Sequence, residues 1–346
     1  MKKSRTGGLS WQQIGLIALC SVLALVLLAL IFATAYANHF LSQINYIQDG
    51  TTLPSEVIES MEQEWTETMP SDYTGPVVDA TDVTQPPYVG PTTLIQHPDI
   101  LNFLLVGQDR RPGELRQRSD TMIVVTVNKR TGDIMLTSFL RDLYVDIPGY
   151  KPYKLNAAYA VGGFPMLCEA LLTNFGVTID GCVEVDFDGF MGLVDLVGGV
   201  DIDLTAKEVE HLNEIYFWTL TPGVNHLTGE QALAYSRIRA LDNDFVRTER
   251  QRNVMVSIIN SAKNMSLGDM QNLLTAALPM IATTMTPREI TNYMIELLPV
   301  IANANIQTQR VPVWGSYTNV YIPGPAECLV PDLPKIRQQL IDTLLP

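Results

Sequence analysis

Arg237, Arg239, Arg247, Arg250 and Arg252 fall within Tyr235–Arg252 of a 346-residue chain whose formal net charge is −14. Guanidinium groups meet phosphate or carboxylate oxygens in a planar, two-pronged way and keep their charge at neutral pH. The cluster predicts a local anion site in an acidic protein. A surface ion-pair net with Asp242, Asp244 and Glu249 is the alternative use of the same residues. Arg247, Arg250, Gln251 and Val254 recur at three- and four-residue spacing, which puts them on one face of a helix whose first amides also attract anions.

Two carboxylates stand where they can serve such a site. Asp109 follows the apolar run 101–106 through Gly107 and Gln108, in the loop beyond a strand end where open sheets bind ligands. Asp120 sits immediately before the next apolar run, 121–127. If the two strands are neighbours, both acids converge at one sheet edge. Beside a phosphate they suit a hard cation such as Mg²⁺, which takes one or two protein oxygens and completes its shell with phosphate and water. An Asx turn at Asp109 and a strand-entry cap at Asp120 are the plainer uses. Arg141, with Asp142, closes the run 134–139, and Lys154 and Asn156 follow a Pro-containing turn. No Ser, Cys or His constellation for acyl transfer is present, since neither His211 nor His226 carries a recognisable motif.

These residues must be held by elements that the patterning predicts. Residues 101–106, 121–127 and 134–139 read as strands, the last two as a hairpin around the turn at 129–132. Helices are expected at 156–159 and 165–175, a strand at 183–187, and a helix at 190–197 stopped by Gly198 and Gly199. The Thr228 to Gln231 spacing is a capping box leading into a helix over 232–239. Helices over 254–262, 267–280 and 287–298 and a strand over 308–313 complete the pattern. The expected class is α/β with α+β character: a central mixed sheet flanked by helices on both faces, preceded by one N-terminal transmembrane helix. The Leu-, Met- and Ala-rich helices of 254–298 are candidates to line an apolar groove, although core packing also uses such residues.

That transmembrane expectation rests on an uncharged apolar run at 14–37 behind Lys2, Lys3 and Arg5. It places 1–13 in the cytoplasm, an acidic Thr/Pro/Ser/Gly-rich linker with a short helix within 53–69 at 38–98, and a catalytic domain at 99–346. The chain is thus expected in the cell membrane, single-pass, with a cytoplasmic N-terminus and an extracytoplasmic domain. The acidic balance excludes general nucleic-acid binding. Four scattered His and Cys20, Cys168, Cys182 and Cys328 without ligand spacing argue against zinc and leave disulfide pairing open.

The ordered pieces Leu105-Val-Gly-Gln-Asp-Arg-Arg111, Arg118-Ser-Asp-Thr121, Leu136-Thr-Ser-Phe-Leu-Arg-Asp142, Lys154-Leu-Asn-Ala-Ala-Tyr159, Asp195-Leu-Val-Gly-Gly-Val200, Leu227-Thr-Gly-Glu-Gln-Ala-Leu233, Tyr235-Ser-Arg-Ile-Arg239 and Asp244-Phe-Val-Arg-Thr-Glu-Arg-Gln251 resemble the LytR-CpsA-Psr family of cell-envelope enzymes. The resemblance implies a Mg²⁺-dependent phosphotransferase that moves an anionic glycopolymer, a teichoic acid or a capsular or wall polysaccharide, from a polyprenyl-pyrophosphate carrier onto a peptidoglycan sugar hydroxyl. It puts the metal at Asp109 and Asp120, pyrophosphate at Arg141, Lys154, Arg237, Arg239, Arg247 and Gln251, and catalysis at Asp109, Arg141 and Arg239. A short loop before Arg247, and Val246 where the family often has glycine, depart from its pattern. A non-catalytic regulator or polyanion-binding adaptor, and a lipid-pyrophosphate hydrolase, use the same residues.

Overall fold

In a computed structural model of the chain, residues 45–47, 52–83, 97–108, 116–263, 265, 269, 273 and 276–345 are described. Their strands, in chain order, are β1 (Asn45–Tyr46), β2 (Ile100–Gly107), β3 (Thr121–Asn128), β4 (Asp133–Phe139), β5 (Tyr144–Val145), β6 (Tyr153–Lys154), β7 (Gly181–Val185), β8 (Val200–Leu204), β9 (Gly223–Leu227), β10 (Ala282–Thr283), β11 (Asn305–Val311), β12 (Tyr317–Ile322) and β13 (Ala326–Pro331).

Alternation along the strands decides the layers, because successive side chains of a strand point to opposite faces. In β2, Leu104 and Val106 enter one core while Leu101, Phe103 and Leu105 face another; Met122 and Val124 against Ile123, Val125 and Val127 do the same in β3. The sheet is therefore covered on both faces. Helices Leu155–Phe175 and Leu333–Leu344 build the first layer, and helix Pro287–Ile301 with Met255, Val256 and Ile259 the second. Seven strands join in the order β1-β10-β7-β2-β3-β4-β11. The β2–β3 and β3–β4 pairs are antiparallel and the β2–β7 and β4–β11 pairs parallel, so the sheet is mixed, as expected.

One part of the expected architecture is corrected. Among the described residues the helix long and apolar enough to cross a bilayer is Leu155–Phe175, mid-chain, and 78% of its apolar window is buried within the protein. It is apolar on all sides because the sheet and helix Leu333–Leu344 enclose it. Residues 14–37, to which the transmembrane helix was assigned, lie outside the described residues. The single-pass placement in the cell membrane with a cytoplasmic N-terminus falls with that assignment.

Gly163 breaks this core helix at φ 65°, ψ −154°, a conformation only glycine adopts cheaply, so the two predicted helical segments meet at a kink. Within 38–98, helix Ser55–Trp65 buries Met61 and Trp65 in the first core layer, and Val78 donates a backbone hydrogen bond to Tyr321. Helix Gly229–Ser236, whose capping box patterning found, belongs to a small lobe with its own core; the antiparallel β8–β9 pair and helix Ala206–Tyr216 that complete the lobe were not predicted. The Sγ atoms of Cys168 and Cys182 lie 3.5 Å apart, at hydrogen-bonding distance rather than joined as a disulfide.

Candidate functional site

The topology delivers the chemistry to one sheet edge. Where β2 ends at Gly107, antiparallel β3 begins at Thr121; β4 ends at Phe139 beside it, and parallel β7 and β11 end at Val185 and Val311. Asp120 is fixed there by its amide, which donates to the Gly107 carbonyl at 3.2 Å. Its carboxylate accepts from Arg141 Nη1 at 2.8 Å and from Arg239 Nη2 at 3.3 Å, both at Oδ1. Arg247 Nη2 reaches the Asp120 carbonyl at 3.4 Å.

Asp244 ties the cluster together. Its Oδ2 lies 3.1 Å from Arg141 Nε and 2.8 Å from Arg247 Nη2. Asp142 holds Lys154 Nζ at 3.0 Å, and lies 3.5 Å from Arg141 Nε. Arg141, Lys154, Arg239 and Arg247 thus surround Asp120, Asp142 and Asp244, separated by up to 127 positions in sequence. Burial works to raise the Asp120 pKa, but Arg141, Arg239 and Arg247 outweigh it and hold the acid below its ordinary 3.8. Its contribution to stability is therefore present above that value and is lost only as pH falls through the lower, folded pKa. Arg247 is pushed down to about 10, by burial first, with Asp244 opposing and Arg141 and Arg239 adding repulsion.

Two cavities open on this cluster. A largely apolar one of about 530 Å³ is walled by Leu105, Ile123, Val183, Phe190, Leu193 and Ile258, among others. Arg237, Arg239, Arg247 and Gln251 are also in its wall. Met255, Leu273, Ala277 and Ile281 lie there too, so part of the expected apolar helical region does face a cavity. A polar one of about 430 Å³ is lined by Arg118, Arg141, Asp142, Lys154, Asn156 and Glu327, with Glu67 from the segment after helix Ser55–Trp65. Asp120 and Arg239 line both. In the apolar wall, Arg247 Nε and Nη1 and Gln251 Oε1 are buried without a hydrogen-bond partner, as is Asn156 Oδ1 in the polar one. Buried polar atoms left unmet are costly, and a ligand is one way to satisfy them.

Local chain geometry explains the arginines. Helix Gly229–Ser236 starts at the Thr228 capping box and ends with Arg237 as its C-cap, so Arg237 and Arg239 lie past its end rather than in a helix reaching 239. The Arg237 guanidinium stacks 4.3 Å over the Phe187 ring. The next helix begins at Asp244, ten residues earlier than patterning placed it. Its shared Arg–Arg–Gln face is not one site: Arg247 and Gln251 line the apolar cavity, whereas Arg250 pairs with Glu208 at 2.6 Å and with Asp242. Arg250 is 3% exposed, and the ion-pair alternative holds for this residue. Arg250→Ala should thus cost about 3–5 kcal/mol, because it leaves the buried Glu208 carboxylate unpaired. Urea unfolding would show it as a lowered midpoint, while Arg239→Ala leaves that midpoint nearly unchanged.

Asp109 lies outside the described residues, so its convergence with Asp120 is not observed. Among the described residues no group of three His, Cys, Asp or Glu side chains is placed to hold a metal. Asp244 and Phe187 are site residues that sequence reasoning did not assign; Asp244 had been counted only as an arginine's surface partner.

Residues 61–329 match the model of the LytR_cpsA_psr family. The chain belongs to this family. A polyisoprenyl-teichoic acid–peptidoglycan teichoic acid transferase TagU of Bacillus mycoides is 36% identical over 203 residues, 56% of this chain and 64% of its own length. The chain therefore matches less than two thirds of that relative. A crystal structure of Bacillus subtilis TagT gives a TM-score of 0.58 at 24% identity, covering 74% of this chain and 92% of TagT. TagT with bound octaprenyl pyrophosphate lipid gives 0.55 at 22%, covering 80% and 99%. At these identities the structural likeness establishes a shared fold. Within this LytR_cpsA_psr member, the positions the resemblance pointed to at Asp120, Arg141, Lys154, Arg237, Arg239, Arg247 and Gln251 all border one or both cavities.

Proposed function

We propose that this chain is a phosphotransferase that moves an anionic glycopolymer from a polyprenyl-pyrophosphate carrier to a sugar hydroxyl of peptidoglycan. One observation carries the reading: an apolar and a polar cavity meet at Arg239 and Asp120, with arginines at the joint. A molecule with a hydrocarbon tail, a diphosphate and a sugar head has that same order of polarity. The TagU relative is named as a teichoic acid transferase to peptidoglycan, and TagT has been solved with octaprenyl pyrophosphate, which supports the donor class.

In this reading the prenyl chain lies along Leu193, Phe190 and Ile258, and the diphosphate takes donors from Arg141, Arg237, Arg239 and Arg247, with Gln251 and Lys154 alongside. An acceptor hydroxyl enters through the polar cavity and attacks the glycan-linked phosphorus. The new phosphodiester bond forms as the bridging P–O bond breaks, and polyprenyl phosphate leaves with the bridging oxygen. The hydroxyl proton passes to a carboxylate, for which Asp109, outside the described residues, is the candidate. Such a transfer needs in-line positioning and charge compensation, which fixed guanidiniums supply without a covalent intermediate.

Asp120 and Asp109 would hold Mg²⁺. The two arginine bonds to Asp120 both fall on Oδ1, which leaves Oδ2 for a hard cation, an ion that completes its shell with phosphate and water. When bound, the ion would neutralise diphosphate oxygens.

The test is reconstitution of the full chain with a synthetic polyprenyl-pyrophosphate glycan, peptidoglycan fragments and Mg²⁺, with products resolved by mass. Glycan phosphate joined to peptidoglycan supports transfer. Glycan phosphate released into water identifies a hydrolase, and binding of finished polymer in chelator without turnover identifies an adaptor.

A further inference from the structure

A second cationic feature lies outside both cavities. β11 runs parallel to β4, so the chain after Val311 leaves the sheet at the edge that carries Arg141, and there it exposes Trp314 at 69%. The indole stacks on Phe245, with centroids 5.1 Å apart and planes at 23°; Tyr317 completes the cluster at 5.4 Å from Phe245 and 6.0 Å from Trp314. Phe245 directly follows Asp244, the residue that bridges Arg141 and Arg247. Arg310 lies against two of these rings, 4.6 Å from Phe245 and 4.9 Å from Trp314.

Behind it stands Arg252, two turns along the helix from Phe245 and 5% exposed, whose Nε and Nη1 are buried with no hydrogen-bond partner. Burial pushes its guanidinium down to about 10; Glu249 opposes this and Arg310 adds repulsion. Two like charges and unmet donors next to a flat, exposed ring are an unfavourable arrangement by themselves, and an anion relieves it. Ring faces of this kind also take the apolar face of a sugar, since an aromatic side chain offers a large, rigid contact surface.

We propose that Trp314, Phe245 and Tyr317, with Arg310 and Arg252, form a docking platform for an anionic glycan, separate from the diphosphate cluster. A pyranose ring lies on the free face of Trp314 and its phosphate or carboxylate is held by Arg310, with Arg252 supporting the charge from beneath. The polymer thereby gains a second hold on the sheet edge where transfer takes place. This inference rests on the glycopolymer reading above and names a residue set that reading does not use.

The test is intrinsic tryptophan fluorescence of the full chain titrated with a phosphodiester-linked N-acetylglucosamine tetramer, with the unphosphorylated tetramer as control. Arg310→Gln should weaken binding of the phosphorylated tetramer about tenfold or more, the size of one charged hydrogen bond. Trp314→Ala, measured by calorimetry because the reporter is gone, should do the same without lowering the thermal midpoint. Unchanged affinity in both variants, or equal affinity for the neutral tetramer, would overturn the platform. So would a concentration-dependent dimer that Trp314→Ala abolishes, which would make the face a contact between copies of this chain. Transfer of a lipid donor carrying a single sugar is followed in parallel. If the unmodified chain fails there, the transferase reading is wrong; if it succeeds while the variants bind the tetramer normally, only the platform is.

Discussion

Arg239→Ala should lower kcat/KM for the lipid-pyrophosphate donor by about 10²–10³-fold, the usual cost of losing one donor aimed at developing charge. It should do so in a protein as stable as the unmodified one. The Arg239 side chain is 55% exposed and its ion pair to Asp120 spans 3.3 Å, so its contribution to folding is that of a surface pair, about 0–1 kcal/mol. The same guanidinium lines both cavities, where a diphosphate must sit if tail and sugar occupy them together. Arg247→Ala makes the contrast: at 2% exposure and bonded to Asp244, that side chain belongs to the fold as well as to the site, and its loss should lower both rate and stability. Asp120→Asn separates the roles further. It removes the one negative charge that Arg141 and Arg239 both address, so donor affinity should hold or tighten while turnover falls. Steady-state kinetics with denaturant unfolding of the three variants measures all of this. Arg239→Ala turning over at the unmodified rate would remove it from the reaction.

The strands were legible because a sheet covered on both faces writes near-continuous apolar runs, and 100–107, 121–128 and 133–139 are such runs bounded by turn residues. The cationic set was legible for a different reason: arginines in an acidic chain have few structural uses, so their clustering survives without coordinates. What sequence could not do was sort them. Arg247 and Arg250 are three residues apart on one helix, yet one reaches Asp120 and the other is consumed by Glu208 and Asp242. Only tertiary packing of helix Ala206–Tyr216, whose Glu208 serves its own capping box and Arg250 together, decides between them. In the small lobe the strand Val200–Leu204 went unread because it alternates Val200, Ile202 and Leu204 with exposed aspartates, a short signal lost among charged neighbours. The membrane expectation fell on 14–37, outside the described residues, whereas among the described residues the helix of sufficient length and apolarity is Leu155–Phe175, buried on every side by its own domain.

If the apolar cavity houses the carrier's tail, Leu193→Trp combined with Ile258→Trp should abolish the dependence of donor binding on prenyl length. Both residues line that cavity, one from helix Phe187–Leu196 and one from helix Asp244–Lys263, so the two indoles narrow it from its two helical walls. Burial of a methylene is worth about 0.8 kcal/mol, so excluding even one five-carbon prenyl unit forfeits roughly 3–4 kcal/mol, a loss of affinity of at least a hundredfold. The guanidinium contacts to Asp120 come from Arg141 and Arg239, and neither substituted residue takes part in them. A series of donors from two to eight prenyl units should therefore bind the unmodified chain with steadily rising affinity and the double variant with an affinity that stays flat. The arithmetic also says which outcome counts. A variant merely loosened by two large side chains would lose affinity for every donor alike, including the shortest, whereas a blocked tail site loses only what length had contributed; affinity that still climbs with prenyl number in the double variant would place the tail elsewhere.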